Sequence, residues 1–185
     1  MKQKTTVMKS LKLASLAMAA LSATTSADTA AVAQSINAFG LDLHRVLAED
    51  GGNRLASPWS IESALAMTYA GAAGQTKEQM AEVLHFPEDE AALHAGFAAI
   101  AADLTALARA SRERVEETGQ FGGPETPLRI VTANRLFAQS GQSLEKPFLK
   151  LLETTYAAPL EQVDFIRQTE GTLVSDSDDA GVPEG

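Results

Sequence analysis

Between Ala31 and Leu47 most of the large apolar side chains fall at Val32, Ile36, Phe39, Leu43, Val46 and Leu47. Those spacings of three and four place them on one face of a helix. Glu49-Asp50-Gly51-Gly52-Asn53 closes the pattern. The next stretch, SPWSIESALAMTYAGAAGQT from Ser57 to Thr76, holds one charged side chain, Glu62. Ser57 suits an N-cap and Pro58 the first helical position, where a missing N–H costs no bond, and Gly71 and Gly74 mark the far end. Ile61, Ala64, Leu65, Thr68 and Tyr69 would fill one face, and Ser60, Ser63, Met67 and Ala70 the other. With small or apolar residues all round, such a helix is expected to be enclosed by other elements.

Thr76 followed by Gln79 has the form of a capping box, and Met80, Val83 and Leu84 give a short apolar stripe that Phe86-Pro87 stops. After the acidic start Glu88-Asp89-Glu90, a longer amphipathic helix carries Leu93, Phe97, Ile100, Leu104 and Leu107. The run from Arg109 to Pro127, with three glycines and two prolines, reads as an exposed connection. From Leu128 to Phe137 β-branched residues and a mixed alternation predict a strand. A helix follows with Pro147 near its start and Phe148, Leu151, Leu152 and Tyr156 on its face. Leu160, Val163 and Phe165 alternate with polar neighbours as a second strand. The fold class is therefore α+β, mostly helical, and two strands alone make a poor sheet.

The chain has 185 residues, 45% of them hydrophobic and 21% charged, in the range of a folded domain. Its formal net charge of -9, with no cluster of Lys and Arg, argues against a nonspecific grip on nucleic acid. At the N-terminus, Lys2, Lys4, Lys9 and Lys12 precede the apolar run Leu13 to Leu21, and small residues follow at Ala23, Thr25, Ser26 and Ala27. That layout predicts a secretory signal peptide over residues 1–27, cleaved after Ala27, and hence a secreted or periplasmic protein. The run is too short to span a bilayer, and no later uninterrupted apolar run reaches the roughly 20 residues needed, so no membrane span is expected. Cysteine is absent, which excludes disulfides, a thiolate nucleophile and a lipidated cysteine. Residues 28–165 form the folded part, and residues 166–185, polar and patternless, are expected to be a mobile tail.

The chemistry-bearing residues form no catalytic pattern. His44, His85 and His94 are the only histidines, with no HExxH spacing and no ligand arrangement across Pro87, so neither a metal nor another cofactor is expected. Gly71 to Lys77, GAAGQTK, has two residues rather than four between its glycines and follows a helix rather than a strand, unlike a phosphate loop. Ser57 and Ser60 lack the G-x-S-x-G turn of a nucleophile, and capping accounts for Ser57. Pairs such as Glu113 with Glu117 fit a solvated helix face. No enzyme is expected.

The stretch Asn53-Arg-Leu-Ala-Ser-Pro-Trp-Ser-Ile-Glu-Ser-Ala-Leu-Ala-Met, followed by Gly71-Ala-Ala-Gly-Gln-Thr76, closely resembles the N-x-x-x-S-P-x-S-I-x-x-A-L-x-M and G-A-x-G-x-T pattern of the serpins, the serine protease inhibitor superfamily. Asn37-Ala-Phe39 with Leu43 is similar to the family's first helix. Ala133-Asn-Arg-Leu-Phe137 is similar to the strand carrying A-N-x-L-F, and Tyr156-Ala-Ala with Val163-Asp-Phe165 to the Y-x-A and V-D-F that follow. Asn53, Pro58, Ile61, Gly71, Thr76, Asn134 and Phe137 are thereby structural positions of the family motif. The pieces keep their order from about Ser35 to Phe165, which makes the match specific.

The resemblance, that of a bacterial-type secreted member, implies N-terminal serpin helices plus a few strands of a central sheet that is incomplete. It also implies that Ser57 and Ser60 correspond to serines of the shutter region, where the sheet parts to admit a strand. The function it implies is inhibition of a serine-type endopeptidase. In that suicide-substrate mechanism a protease cuts an exposed reactive loop near the C-terminus and is trapped as the loop inserts into the sheet. That loop is absent here, as are most of the sheet strands, so the truncated chain is expected to be inactive alone. Unpaired strand edges and apolar helix faces favour aggregation or self-association. A small secreted helical protein-interaction module is the alternative.

Overall fold

The computed structural model describes residues 28–49 and 51–167, so the signal-peptide reading and nearly all of the expected tail lie outside the described residues. The described residues fall into two compact units that divide between Thr132 and Ala133.

The first unit is helical. Helix α1 covers residues 28–48, α2 Pro58–Ala70, α3 Gly74–Val83 and α4 Glu90–Thr118. Its core consists of Val32, Ala66, Met67, Tyr69, Leu84, Phe86, Leu93 and Phe97. The aromatic rings join the helices: Trp59 and Phe97 have centroids 5.6 Å apart, Tyr69 meets Phe86 edge-on at 5.1 Å, and Phe86 meets Phe97 edge-on at 6.3 Å. Such pairs contribute roughly 0.5–1.5 kcal/mol each beyond the area they bury. Two glycines permit the close crossings. A Cβ on Gly40 of α1 would lie 2.8 Å from Pro58 Cγ, and one on Gly96 of α4 would lie 2.6 Å from the Asp28 carbonyl oxygen.

Helix α2 starts and stops where the sequence predicts. Ser57 Oγ accepts the Ser60 N–H, Pro58 opens the helix, and the Gly71 N–H closes it on the Thr68 carbonyl at 3.1 Å. Its faces divide differently from the expectation. Glu62, Ser63, Ala66, Met67 and Tyr69 are buried, while Ser60, Ala64 and Thr68 are exposed. The helix is therefore enclosed on one side only, because the open stripe carries side chains no larger than threonine and its burial would release little hydrophobic free energy.

Helix α3 begins at Gly74, two residues before the expected capping box, and so Thr76 lies inside it rather than at its cap. Gly74 has φ +55°, a left-handed turn that glycine adopts without steric cost. Helix α4 is capped by Asp89, whose Oδ1 accepts the Ala92 N–H at 3.0 Å. It runs past the expected end at Leu107 and takes in Arg109 to Thr118, where the sequence pattern predicts a connection. Arg and Glu are good helix formers, and Arg109 pairs with Glu113 at 3.8 Å one turn on. Gly119 begins a 3₁₀ turn that ends at Gly122, with φ +82°. By length and composition alone α4 is apolar enough to cross a membrane. Of α4, Leu93, His94, Gly96 and Phe97 near its N-terminal end are buried within the unit.

The second unit is a β–α–β arrangement. Strand β1, Leu136–Gln139, pairs in parallel with β2, Leu160–Val163, in the register Leu136 with Leu160 through Gln139 with Val163. Helix α5, Lys146–Tyr156, makes the crossover that a parallel pair requires. Leu152, Tyr156, Ala158 and Val163 are buried. The predicted strand from Leu128 is much shorter than expected, because residues 128–135 have no strand partner among the described residues and Val131 is 72% exposed. Phe165 likewise lies in the turn after β2 rather than in the strand.

The Gly96 crossing yields a test. Gly96→Ala must push α4 away from the α1 backbone and should destabilise the chain by about 1–3 kcal/mol. A urea melt should show this loss, whereas Gly119→Ala, where an added Cβ meets nothing closer than 4.0 Å, should cost less.

Candidate functional site

The N-terminal end of α2 carries the serines singled out from the sequence. Ser57 Oγ lies 3.0 Å from Ser60 Oγ and 3.3 Å from the Ser60 N–H. Both serines are exposed; one hydroxyl donates its proton to the other, which leaves the second proton and spare lone pairs for a further partner. Asn53 and Gly71 are exposed, Pro58 and Ile61 half-buried, and Thr76 exposed on α3. Asn134 and Phe137 belong to the second unit. Asn134 is half-buried there, and Phe137 is 43% exposed on β1 opposite Glu161.

The V-D-F stretch is held by a single amide. Gln139 Nε2 donates to Asp164 Oδ1 at 3.1 Å, and Gln139 Oε1 accepts the Phe165 N–H at 2.9 Å. Asp164 Oδ1 also accepts the N–H groups of Ile166 and Arg167, both at 3.2 Å. This fixes the turn that follows β2.

The histidines are dispersed. His85, in the left-handed region at φ +53°, places Nε2 2.8 Å from Asp42 Oδ2 on α1. The bond from His85, together with nearby Arg45, holds the Asp42 carboxyl below its ordinary range. His94 is buried beside Glu90, 3.6 Å away, and burial pushes its pKa down while Glu90 opposes the shift. Glu90 also pairs with Lys77 at 2.6 Å, and the Lys77 ammonium sits 4.8 Å over the Tyr69 ring. These contacts tie α3 to α2 and α4. Among the described residues no group of three His, Asp or Glu converges as a metal site.

Sequence reasoning passed over the most unusual polar group. Glu62, the one acid in the uncharged stretch, is fully buried. The Ser35 hydroxyl, also buried, lies 3.1 Å from Oε1, 3.3 Å from Oε2 and 3.1 Å from the Leu84 carbonyl oxygen. Burial raises the Glu62 pKa from 4.5 to about 7, with the Ser35 hydrogen bond pulling the other way. The only available signal in the sequence was the acid's isolation on an otherwise apolar helix.

Residues 34–175 match the serpin (serine protease inhibitor) family. An uncharacterized serpin-like protein of Thermococcus kodakarensis is 36% identical over 135 residues, which cover 72% of this chain and 28% of that protein. The leukocyte elastase inhibitor of Bos taurus is 37% identical over 134 residues, covering 71% of this chain and 30% of the inhibitor. Among solved structures, Arabidopsis AtSerpin1 in its native stressed conformation superposes with a TM-score of 0.55 at 26% identity, covering 77% of this chain and 33% of that one. The chain thus spans about a third of the length of these relatives.

The buried acid sets a pH dependence. A carboxyl whose pKa is higher folded than unfolded binds more protons in the native state, so stability falls as pH rises from about 4.5 to about 7. The loss is on the order of 3 kcal/mol, because a tenfold change in a proton-binding constant corresponds to about 1.4 kcal/mol. His94, depressed by burial, works in the opposite direction, so the informative quantity is the stability difference between wild type and Glu62→Gln. That difference should turn against the wild type by this amount as pH rises through the same range in denaturant melts; parallel curves would contradict it.

Proposed function

The chain belongs to the serpin family, and from that premise we propose that it supplies the N-terminal helices and first strands of a secreted or periplasmic inhibitor of serine endopeptidases. In this reading residues 1–27 are a cleaved leader and the protein acts as a suicide substrate rather than as an enzyme. The observation that carries the reading is the open face of α2, with the paired hydroxyls of Ser57 and Ser60 at its N-terminal end. A face of serine, alanine and threonine suits a surface over which sheet strands part and close. It offers hydroxyls that exchange partners and no bulky side chain that must be repacked.

Inhibition then depends on a reactive loop that is cut by the protease and inserted as a new strand. The 185 residues match only about a third of the inhibitors' length. Taken alone, they are proposed not to inhibit. Exposed apolar side chains, Leu55 at 102%, Val46 and Val83 both at 64%, favour self-association of the isolated chain and support a protein-interaction module as a second reading.

Incubation with trypsin-, chymotrypsin- and elastase-like proteases separates the two. A product that carries this sequence together with a reactive loop should give a covalent adduct that survives denaturing electrophoresis, while the 185-residue chain leaves each protease fully active. An adduct with the short chain, or none with the longer product across all three protease classes, would overturn the proposal.

A further inference from the structure

Ser35 on α1, Glu62 on α2 and the Leu84 carbonyl at the end of α3 meet in a buried cluster that joins three helices. A serine hydroxyl has one proton to donate. Ser35 Oγ nevertheless has three acceptors within reach, two carboxyl oxygens and one backbone carbonyl, at 3.1 to 3.3 Å. The three contacts cannot all be donated at once, and the protonation state of Glu62 decides among them.

We propose that Glu62 and Ser35 form a proton-controlled latch between α1, α2 and the C-terminal end of α3. With the carboxyl protonated, Glu62 donates to Ser35 Oγ and Ser35 donates to the Leu84 carbonyl, so both protons and the backbone carbonyl have partners. With the carboxyl ionised, it draws the single Ser35 proton to itself and the Leu84 carbonyl loses its donor. A buried carbonyl left without a partner is costly, so ionisation loosens the turn through Leu84, His85 and Phe86. Phe86 carries that loosening into the core, since its ring packs on both Tyr69 and Phe97.

The surrounding charges do not compete for this role. Asp42 on α1 pairs with His85 and Arg45, Lys77 on α3 with Glu90, and His94 on α4 faces Glu90. Glu78 and Glu82 on α3 are exposed. Burial and the Ser35 hydroxyl are the two influences on the Glu62 carboxyl. The Asp42–His85 pair is a second tie between α1 and the same turn, 2.8 Å long and solvent-exposed. Its contribution is separated by variants at the latch.

Titration of the isotopically labelled chain by NMR makes the separation. The carbonyl-carbon shift of Leu84 should follow the Glu62 side-chain carboxyl with one midpoint. In Ser35→Ala, Glu62 should still titrate, at a higher midpoint because its charged form has lost a donor, while the Leu84 carbonyl stays flat. In Glu62→Gln, whose amide donates at every pH, the Leu84 shift should also stay flat. A Leu84 carbonyl that still changes with pH in Glu62→Gln, or that titrates unchanged in Ser35→Ala, would overturn the latch. So would a flat Leu84 shift in the wild type while Glu62 titrates, and this last comparison needs no variant to fold.

Discussion

The division of α2 into a buried face and an open face is the constraint on which the first unit depends. Ala66 and Met67 are packed almost completely, and Tyr69 reaches Phe86, which reaches Phe97 on α4. Once that face is filled, α1 must cross close enough for Gly40 to touch Pro58, and α4 close enough for Gly96 to touch the α1 backbone. Side chains at those glycines would hold the helices apart and leave the aromatic cluster underpacked. The opposite face of α2, from Ser60 through Thr68, takes no part in this packing and remains available for other work.

What the sequence revealed follows from how local each signal is. The ends of α2 were legible because Ser57, Pro58 and Gly71 act within one turn of themselves. The extent of α4 was not. Its last turns are charged residues whose helicity comes from propensity and one-turn pairs, and a charged run before glycines looks the same when it is a linker. The strand signal from Leu128 onward overshot because alternation reports the capacity to pair, whereas a strand exists only where a neighbour supplies hydrogen bonds. Glu62 stayed hidden for a related reason. Its partner Ser35 is 27 positions away, and nothing near Glu62 in the chain announces a buried carboxyl.

The candidate site shows the same split. Family motifs in order identified Ser57 and Ser60, and the geometry places their hydroxyls in contact at the exposed start of α2. The same helix carries, on its other side, the acid whose proton balance links α1 and α3. One element thus bears both the surface proposed for sheet movement and a buried group sensitive to pH near 7. In the second unit, the Gln139 amide ties β1 to the V-D-F turn after β2, while Val163 of the same stretch is buried.

The absence of cysteine makes the central claim directly measurable. Single cysteines at Ala64 and Ala66 sit on opposite sides of α2 with nearly the same local sequence, and their thiol-labelling rates report the two faces separately. The account predicts that Ala64→Cys reacts at close to the rate of a free thiol while Ala66→Cys is protected until the chain is denatured. Equal rates at the two positions would contradict a helix buried on one side and open on the other.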